Sequence, residues 1–292
     1  MTSVRRGYPV PKTPLGWLLA AALAVAFALV SYALTSHALA QELGADAAGY
    51  YDAAERLARG EPLYSGGAAN ASDRYRYAPW FAAAWIPLTI LDRDVVVTGW
   101  VALMVVAAAA STLPLLVRGF PGMGLFAILA PLQLQGAVYG NVQPLLVLTL
   151  LWGVERRSGP LWIAVGASLK AVPLLLALVY AGRGEWRRAG LTVLLTGLLV
   201  APLILFDLSG YSVEPGPNQM SLAAVWLPLF AAVALAAAVI AFATARTRYA
   251  WLTGATAVVA ALPRLLSYEL GFLLVGLARR PPPASPRPTG DA

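Results

Sequence analysis

Apolar positions dominate the chain in runs of membrane length or slightly less, at 15–35, 78–91, 95–117, 120–138, 141–154, 160–181, 189–206, 222–244, 249–262 and 264–278. Such runs predict helices, because a backbone segment removed from water must satisfy its own amides. About 20 apolar residues are needed to cross a bilayer as a helix. The stretches at 78–91 and 141–154 fall below the roughly 17 residues of a full crossing, so one or both should be tilted, re-entrant or extended by flanking residues. The expected architecture is an all-α polytopic membrane protein of about ten spans, forming one domain over 1–280. A Pro-rich tail at 281–292 is too polar to fold alone.

One polar interval interrupts this pattern, at 36–78. It holds Glu42, Asp46, Asp52, Glu55, Glu61 and Asp73 together with Arg56, Arg59, Arg74 and Arg76. Inside it, Asp46 stands where an N-cap belongs, ahead of Ala47, Ala48, Tyr50, Tyr51, Ala53, Ala54 and Leu57, and Gly60 is placed to end the helix. Tyr50, Tyr51, Ala54, Leu57 and Ala58 can face lipid or the bundle while Asp52, Glu55, Arg56 and Arg59 stay solvated. The interval is therefore expected to carry short interfacial helices on the membrane surface. As a cap, Asp46 has a structural role; as a carboxylate held rigid and ionised beside two tyrosines, it also suits a general base. Asp52 and Glu55 read as solvated charges or arginine partners.

Composition agrees with the pattern and narrows the chemistry. The chain is 59% hydrophobic and 12% charged, with mean hydropathy +0.69; a soluble globule carries about 25% charged residues. There is no cysteine and only one histidine, His37, so thiolate nucleophiles, disulfides and zinc sites are excluded, and any metal chemistry would be carboxylate-based. The net charge of +7 sits at the ends of apolar runs and reads as a topology signal, with no nucleic-acid partner implied. Arg5, Arg6 and Lys12 before the first run place the N-terminus in the cytoplasm. An even number of spans then puts Arg183–Arg188, Arg246–Arg248 and Arg279-Arg280 inside as well, and 36–78 and 207–221 outside. On this count Glu155-Arg156-Arg157 also falls outside, against the positive-inside rule.

Three further features carry candidate chemistry. Arg74-Tyr75-Arg76-Tyr77 precedes Pro79-Trp80; its arginines either anchor at the interface by snorkelling or bind phosphate. Lys170 lies about ten residues, roughly 15 Å, from either end of its run, beyond snorkelling reach. It should face a polar cavity, a carboxylate or an anionic ligand, and with no acid in the central part of any run a ligand is favoured. Polar punctuation at Gln133, Gln135, Gly136, Tyr139, Gly140, Asn141 and Gln143, and again at Pro263-Arg264 and Ser267-Tyr268-Glu269, is either packing glue between helices or, in the first cluster, dense enough within eleven residues to suggest a helix break lining a cavity.

In order, Asp46-x-x-x-Tyr50-Tyr51, Gly60-x-Pro62-Leu63-Tyr64, Tyr77-x-Pro79, Gly140-Asn141-x-Gln143, Lys170-x-x-Pro173 and Pro263-Arg264-x-x-x-Tyr268-Glu269 resemble glycosyltransferase family 87, over nearly the whole chain. These are GT-C-type membrane enzymes that use polyprenyl-phosphate sugars, several of them mannosyltransferases of actinobacterial envelopes. The resemblance implies inverting transfer of a hexose such as mannose to an envelope glycolipid or glycan acceptor, outside the bacterial cytoplasmic membrane, with both termini inside. It implies Asp46 as catalytic base and Lys170, Arg264, Arg74 and Arg76 as ligands of the donor phosphate. Tyr50, Tyr51, Asn141, Gln143, Tyr268 and Glu269 would contact substrate, and no cofactor is called for. A Gly-x-Gly-x-x-Gly nucleotide turn is absent, in keeping with a lipid-linked donor.

Two other classes stay open on the residues alone. A transporter or flippase of a lipid-linked or amphipathic anion would use Lys170 and the broken Gln/Asn segment equally well, but has no need of the acidic outer interval. A scaffold without activity leaves the buried lysine without a purpose.

Overall fold

The computed structural model describes residues 13–41, 43–64, 75–208, 211 and 222–278, the side chains at 37–39 and 41 excepted. The basic N-terminal residues, Arg74, most of 207–221 and the 281–292 tail lie outside the described residues. Among the described residues thirteen α-helices follow one another: α1 (Pro14–Gln41), α2 (Ala45–Ala58), α3 (Pro79–Trp85), α4 (Arg93–Thr112), α5 (Phe120–Val138), α6 (Gln143–Gly153), α7 (Gly159–Lys170), α8 (Ala177–Gly182), α9 (Trp186–Val200), α10 (Leu222–Val225), α11 (Leu227–Ala243), α12 (Ala250–Ala260) and α13 (Leu274–Leu277). Short 3-10 turns extend or join them at Ile86–Ile90, Leu113–Arg118, Val172–Leu176, Ala201–Leu205 and Ser267–Leu273. No strand occurs among the described residues. Every apolar run thus becomes helical within a few residues of its expected ends.

Among the described residues four helices are long and apolar enough to cross a membrane: Pro14–Ser36, Arg93–Arg118, Phe120–Val138 and Trp186–Leu205. Their outward faces stay apolar, with Leu18, Leu29, Val106, Ile128, Leu194 and Leu198 all exposed. In water such a surface would drive association; in hydrocarbon it is matched to its solvent.

The bundle has two ends, recognisable by the contacts made there. At one end lies α2, and at the other Arg118, Glu155, Arg183, Arg246 and Arg248 surround a common cavity. Helix α1 runs to the α2 end, where the Gly44 amide donates to the Val138 carbonyl at the close of α5 (2.9 Å). Helix α4 starts beside α2 through an Arg93–Asp52 pair (2.9 Å), and its 3-10 extension finishes at Arg118.

Two of the ten expected spans do not traverse the bundle. The 78–91 run starts at Tyr77, whose hydroxyl meets that of Tyr50 (3.0 Å), and finishes at Leu91, whose carbonyl accepts from the Tyr51 hydroxyl (2.9 Å). Both its ends therefore stay at α2. The 160–181 run folds back on itself. Helix α7 climbs about 18 Å from the arginine end to Lys170, and Ala171 takes φ 40° and ψ −54°. The 3-10 turn and α8 then return to the start, where the Tyr180 hydroxyl donates to the Val154 carbonyl. Proline explains the reversal: Pro173 has no amide with which to continue α7. Lys170 is consequently the tip of a hairpin, not the midpoint of a span.

This topology removes the conflict over Glu155-Arg156-Arg157. Arg188 donates to the carbonyls of Val154 (3.1 Å) and Arg156 (2.7 Å), and Trp251 Nε1 donates to Glu155 (2.7 Å). The segment shares an end with Arg183–Arg188 and Arg246–Arg248, because the 78–91 and 160–181 runs each return to the end they left.

Of the two surroundings open to the apolar face of helix α2, lipid or the bundle, it takes the bundle. It is a packed element, with Tyr50 2% exposed and Ala47, Ala53 and Ala54 fully buried. Helix α3 and the start of α4 cover its apolar face. Tyr50 makes edge contacts with Tyr77, Phe81 and Trp85 at 5.1, 5.0 and 5.3 Å between centroids, each adding about 0.5–1.5 kcal/mol beyond area burial. Asp52 and Glu55 do find arginines, Arg93 and Arg59. Gly60, at φ 71°, follows the last turn as expected. A second core, built from Leu150, Ile163, Leu176, Tyr180 and Phe272, holds the hairpin against the rest of the bundle.

Candidate active-site cavity

The N-terminus of α2 is fastened to the turn after α5. The Gly44 and Asp46 amides donate to the Val138 and Tyr139 carbonyls, both at 2.9 Å. Gly140 makes this approach possible: it has φ 70°, and a Cβ there would lie 2.7 Å from that of Ala47. The N-cap is Gly44, and Asp46 is in the first turn with its side chain turned inward. The expected capping role is therefore corrected, and the carboxylate is available for other contacts.

Asn141 makes the principal one. Its Nδ2 donates to Asp46 Oδ2 at 2.7 Å and reaches the hydroxyls of Tyr268 (3.3 Å) and Tyr77 (3.4 Å). Its Oδ1 accepts from the Gln143 amide (2.9 Å), and that bond turns the NH₂ group toward Asp46. Burial first, and then the Asp46 carboxylate, pushes the Tyr77 phenol above its ordinary range. Tyr50 is raised too, by burial and then by Tyr77 and Asp46. Both phenols remain protonated donors at neutral pH.

Opposite this group stands the hairpin tip. Lys170 Nζ is 3.2 Å from Glu269 Oε1, with side chains 11% and 7% exposed, and lies 5.3 Å over the Tyr268 ring. Glu269 Oε2 accepts from the Leu266 amide (2.9 Å), closing the first turn of Ser267–Leu273. The lysine expected to await an anion thus has a carboxylate partner 99 positions along the chain. Gln133 steadies the neighbouring backbone by donating to the Tyr268 carbonyl (2.9 Å), and Trp80 Nε1 holds the tip through Ser168 Oγ (3.1 Å).

Between the two groups is a cavity of about 350 Å³ lined by Asp46, Arg76, Tyr77, Asn141, Lys170, Arg264 and Glu269, with an apolar wall from Val172, Val200, Leu203 and Leu262. This is within the size range of small-ligand sites. Arg264 has no hydrogen bond or ion pair among the described residues. The structure therefore brings Asp46, Asn141, Lys170, Glu269, Arg264 and Arg76 to one cavity.

Other expected contacts fall elsewhere. Tyr51 lies on another face of α2, bonded to Leu91; Tyr50 packs behind Tyr77; Tyr268 supports Asn141. Gln143 is fully buried, and among the described residues neither of its side-chain polar atoms has a hydrogen-bond partner. Arg74 lies outside the described residues. Tyr77 is the residue that sequence reading undervalued, since its only signal was the short Tyr-x-Pro pattern. No group of three or more His, Asp or Glu side chains able to hold a metal occurs among the described residues. No protein-family model, curated protein or solved structure matches the chain.

Proposed function

We propose that this protein is a membrane glycosyltransferase of the GT-C type, which moves a hexose from a polyprenyl-phosphate donor to a hydroxyl of an envelope glycolipid or glycan. One observation carries the reading: a carboxylate oriented by an amide shares a cavity with two arginines and a lysine. That pairing suits a reaction that removes a proton at one point and accumulates phosphate charge at another.

In this reading an acceptor oxygen attacks the anomeric carbon as the bond from that carbon to the phosphate oxygen breaks. The hydroxyl proton passes to Asp46, and the bond electrons leave with the lipid phosphate on the opposite face, inverting the centre. Asn141 acts by holding one carboxylate oxygen, so that the other faces the acceptor. Arg264 and Arg76 supply planar donors for the phosphate. Lys170 adds a compact charge whose position Glu269 sets. Orientation follows from the charges: among the described residues Arg118, Arg156, Arg157, Arg183, Arg187, Arg188, Arg246 and Arg248 outnumber the acids Glu155 and Glu185 at one end, which the positive-inside rule assigns to the cytoplasm. The cavity then lies toward the outer leaflet, and the chain enters and leaves on the inner side.

The test is incubation of the purified protein in nanodiscs with a panel of polyprenyl-phosphate hexoses, following transfer or slow donor hydrolysis. We expect turnover with at least one donor, and a loss of about 10²–10⁴-fold in Asp46→Asn. Uptake of the lipid-linked sugar without bond cleavage would put a carrier in place of the enzyme. Normal turnover by a folded Asp46→Asn protein would remove Asp46 as base.

A further inference from the structure

The second large cavity, at the arginine end, has no part in this chemistry. It measures about 860 Å³ and is lined by Arg118, Arg183, Arg246 and Arg248 with Glu155 and Glu185. Both acids are already engaged, Glu185 by Arg188 (2.7 Å) and Glu155 by Trp251 Nε1 (2.7 Å) and Arg183 (3.8 Å). Arg246 and Arg248 are exposed and form no ion pair among the described residues. Arg246 donates to the Gly182 carbonyl (3.2 Å), and Arg248 donates to the Tyr249 hydroxyl and lies 4.7 Å from its ring. A positive charge at a helix end suffices as a topology signal; a cavity walled by arginines whose acids are occupied does not follow from that need.

Beside it runs a largely apolar groove of about 630 Å³ lined by Pro114, Val117, Leu151, Trp152 and Ala278 with Arg156, and the two share Glu155. Trp152 and Val117 are 55% and 48% exposed. A cationic chamber joined to an apolar trough fits a molecule with a phosphate at one end and hydrocarbon at the other.

We infer that this end of the bundle is a binding site for a lipid phosphate, whose headgroup rests against Arg246 and Arg248 and whose chain lies along Val117 and Trp152. The inference is independent of the reaction at Asp46. It covers a phosphodiester of the bilayer or a polyprenyl monophosphate, which present the same oxygens with different charge.

The test uses the full chain in neutral-lipid nanodiscs, titrated in separate arms with phosphatidylglycerol, polyprenyl monophosphate and inorganic phosphate, and read by displacement of a fluorescent anionic lipid. We expect saturable binding in at least one lipid arm. Arg246→Gln/Arg248→Gln should weaken it about tenfold or more, the loss of two charge-assisted contacts, with the melting temperature unchanged in neutral lipid. Trp152→Gln should weaken lipid binding as well. The stronger lipid arm identifies the source. Displacement by inorganic phosphate at the same concentration as lipid would overturn the role of the groove. Wild-type affinity in the double arginine variant, or equal binding of phosphatidylcholine, would overturn the site.

Discussion

Lys170 and Glu269 offer the sharpest test of the architecture, because their pairing depends on the hairpin turning where it does. With side chains 11% and 7% exposed, both charges have lost most of their water. Removing one partner from such a buried pair costs about 3–5 kcal/mol, chiefly from the charge left behind. Both residues line the cavity and so border it on one side, which places the cost for Lys170→Met at the lower end, about 3 kcal/mol. Glu269→Gln should cost about as much, since the amide oxygen can still accept from Leu266 but the ammonium is stranded. The double variant strands neither charge and should fall no more than about 1 kcal/mol below wild type. At roughly 2–4 °C per kcal/mol, each single change lowers the melting temperature by about 6–12 °C and the double by a few degrees. Thermal unfolding in one fixed detergent, with lipid-phosphate affinity measured alongside, reads all four proteins. Two small and additive single effects would refute the pair and return Lys170 to the role of a cation waiting for its ligand.

Other expectations follow from the same geometry. Gly140→Ala places a Cβ 2.7 Å from that of Ala47 at φ 70°; a cost of about 1–3 kcal/mol and a loss of transfer should appear together, because the same turn carries Asn141. Single cysteines are readily introduced in a chain that has none, so Arg157→Cys and Arg248→Cys should react with an impermeant maleimide from one side of a sealed vesicle and Glu61→Cys only from the other. Labelling of positions 157 and 248 from opposite sides would refute the returning hairpin. The phenols of Tyr50 and Tyr77 are raised by burial and by Asp46, so their contribution is complete below the unfolded value near pH 10 and is lost as pH rises toward the folded values. Melting temperature should be level from pH 7 to about 9 and fall above about 10, less steeply in Tyr77→Phe.

Much of this protein is decided locally. Apolar runs become helices because unpaired amides are not tolerated away from water, and the runs and helices coincide from 15–35 to 264–278. Gly60 terminates α2 through a conformation open to glycine, and Asp52 takes an arginine because a surface acid beside basic residues finds one. Asn141, Lys170 and Arg264 stand out by chemistry alone, as polar groups where polar groups are costly, and Asp46 as a carboxylate ahead of a helix-favouring run in the one polar interval. Which runs cross is not a local property. Hydropathy measures affinity for an apolar surrounding and is the same for a segment that traverses and one that returns; length already marks 78–91 as short of a full crossing, but 160–181 is long enough to cross and is distinguished only by what its ends touch. Likewise Glu269 is an ordinary helix-start acid until the fold brings it 3.2 Å from Lys170. Tyr50 and Tyr51 are equally suited to a lipid interface and a packed core until α3 covers them. Contacts between positions far apart along the chain decide these questions, because burial and charge pairing depend on neighbours that only the completed packing supplies.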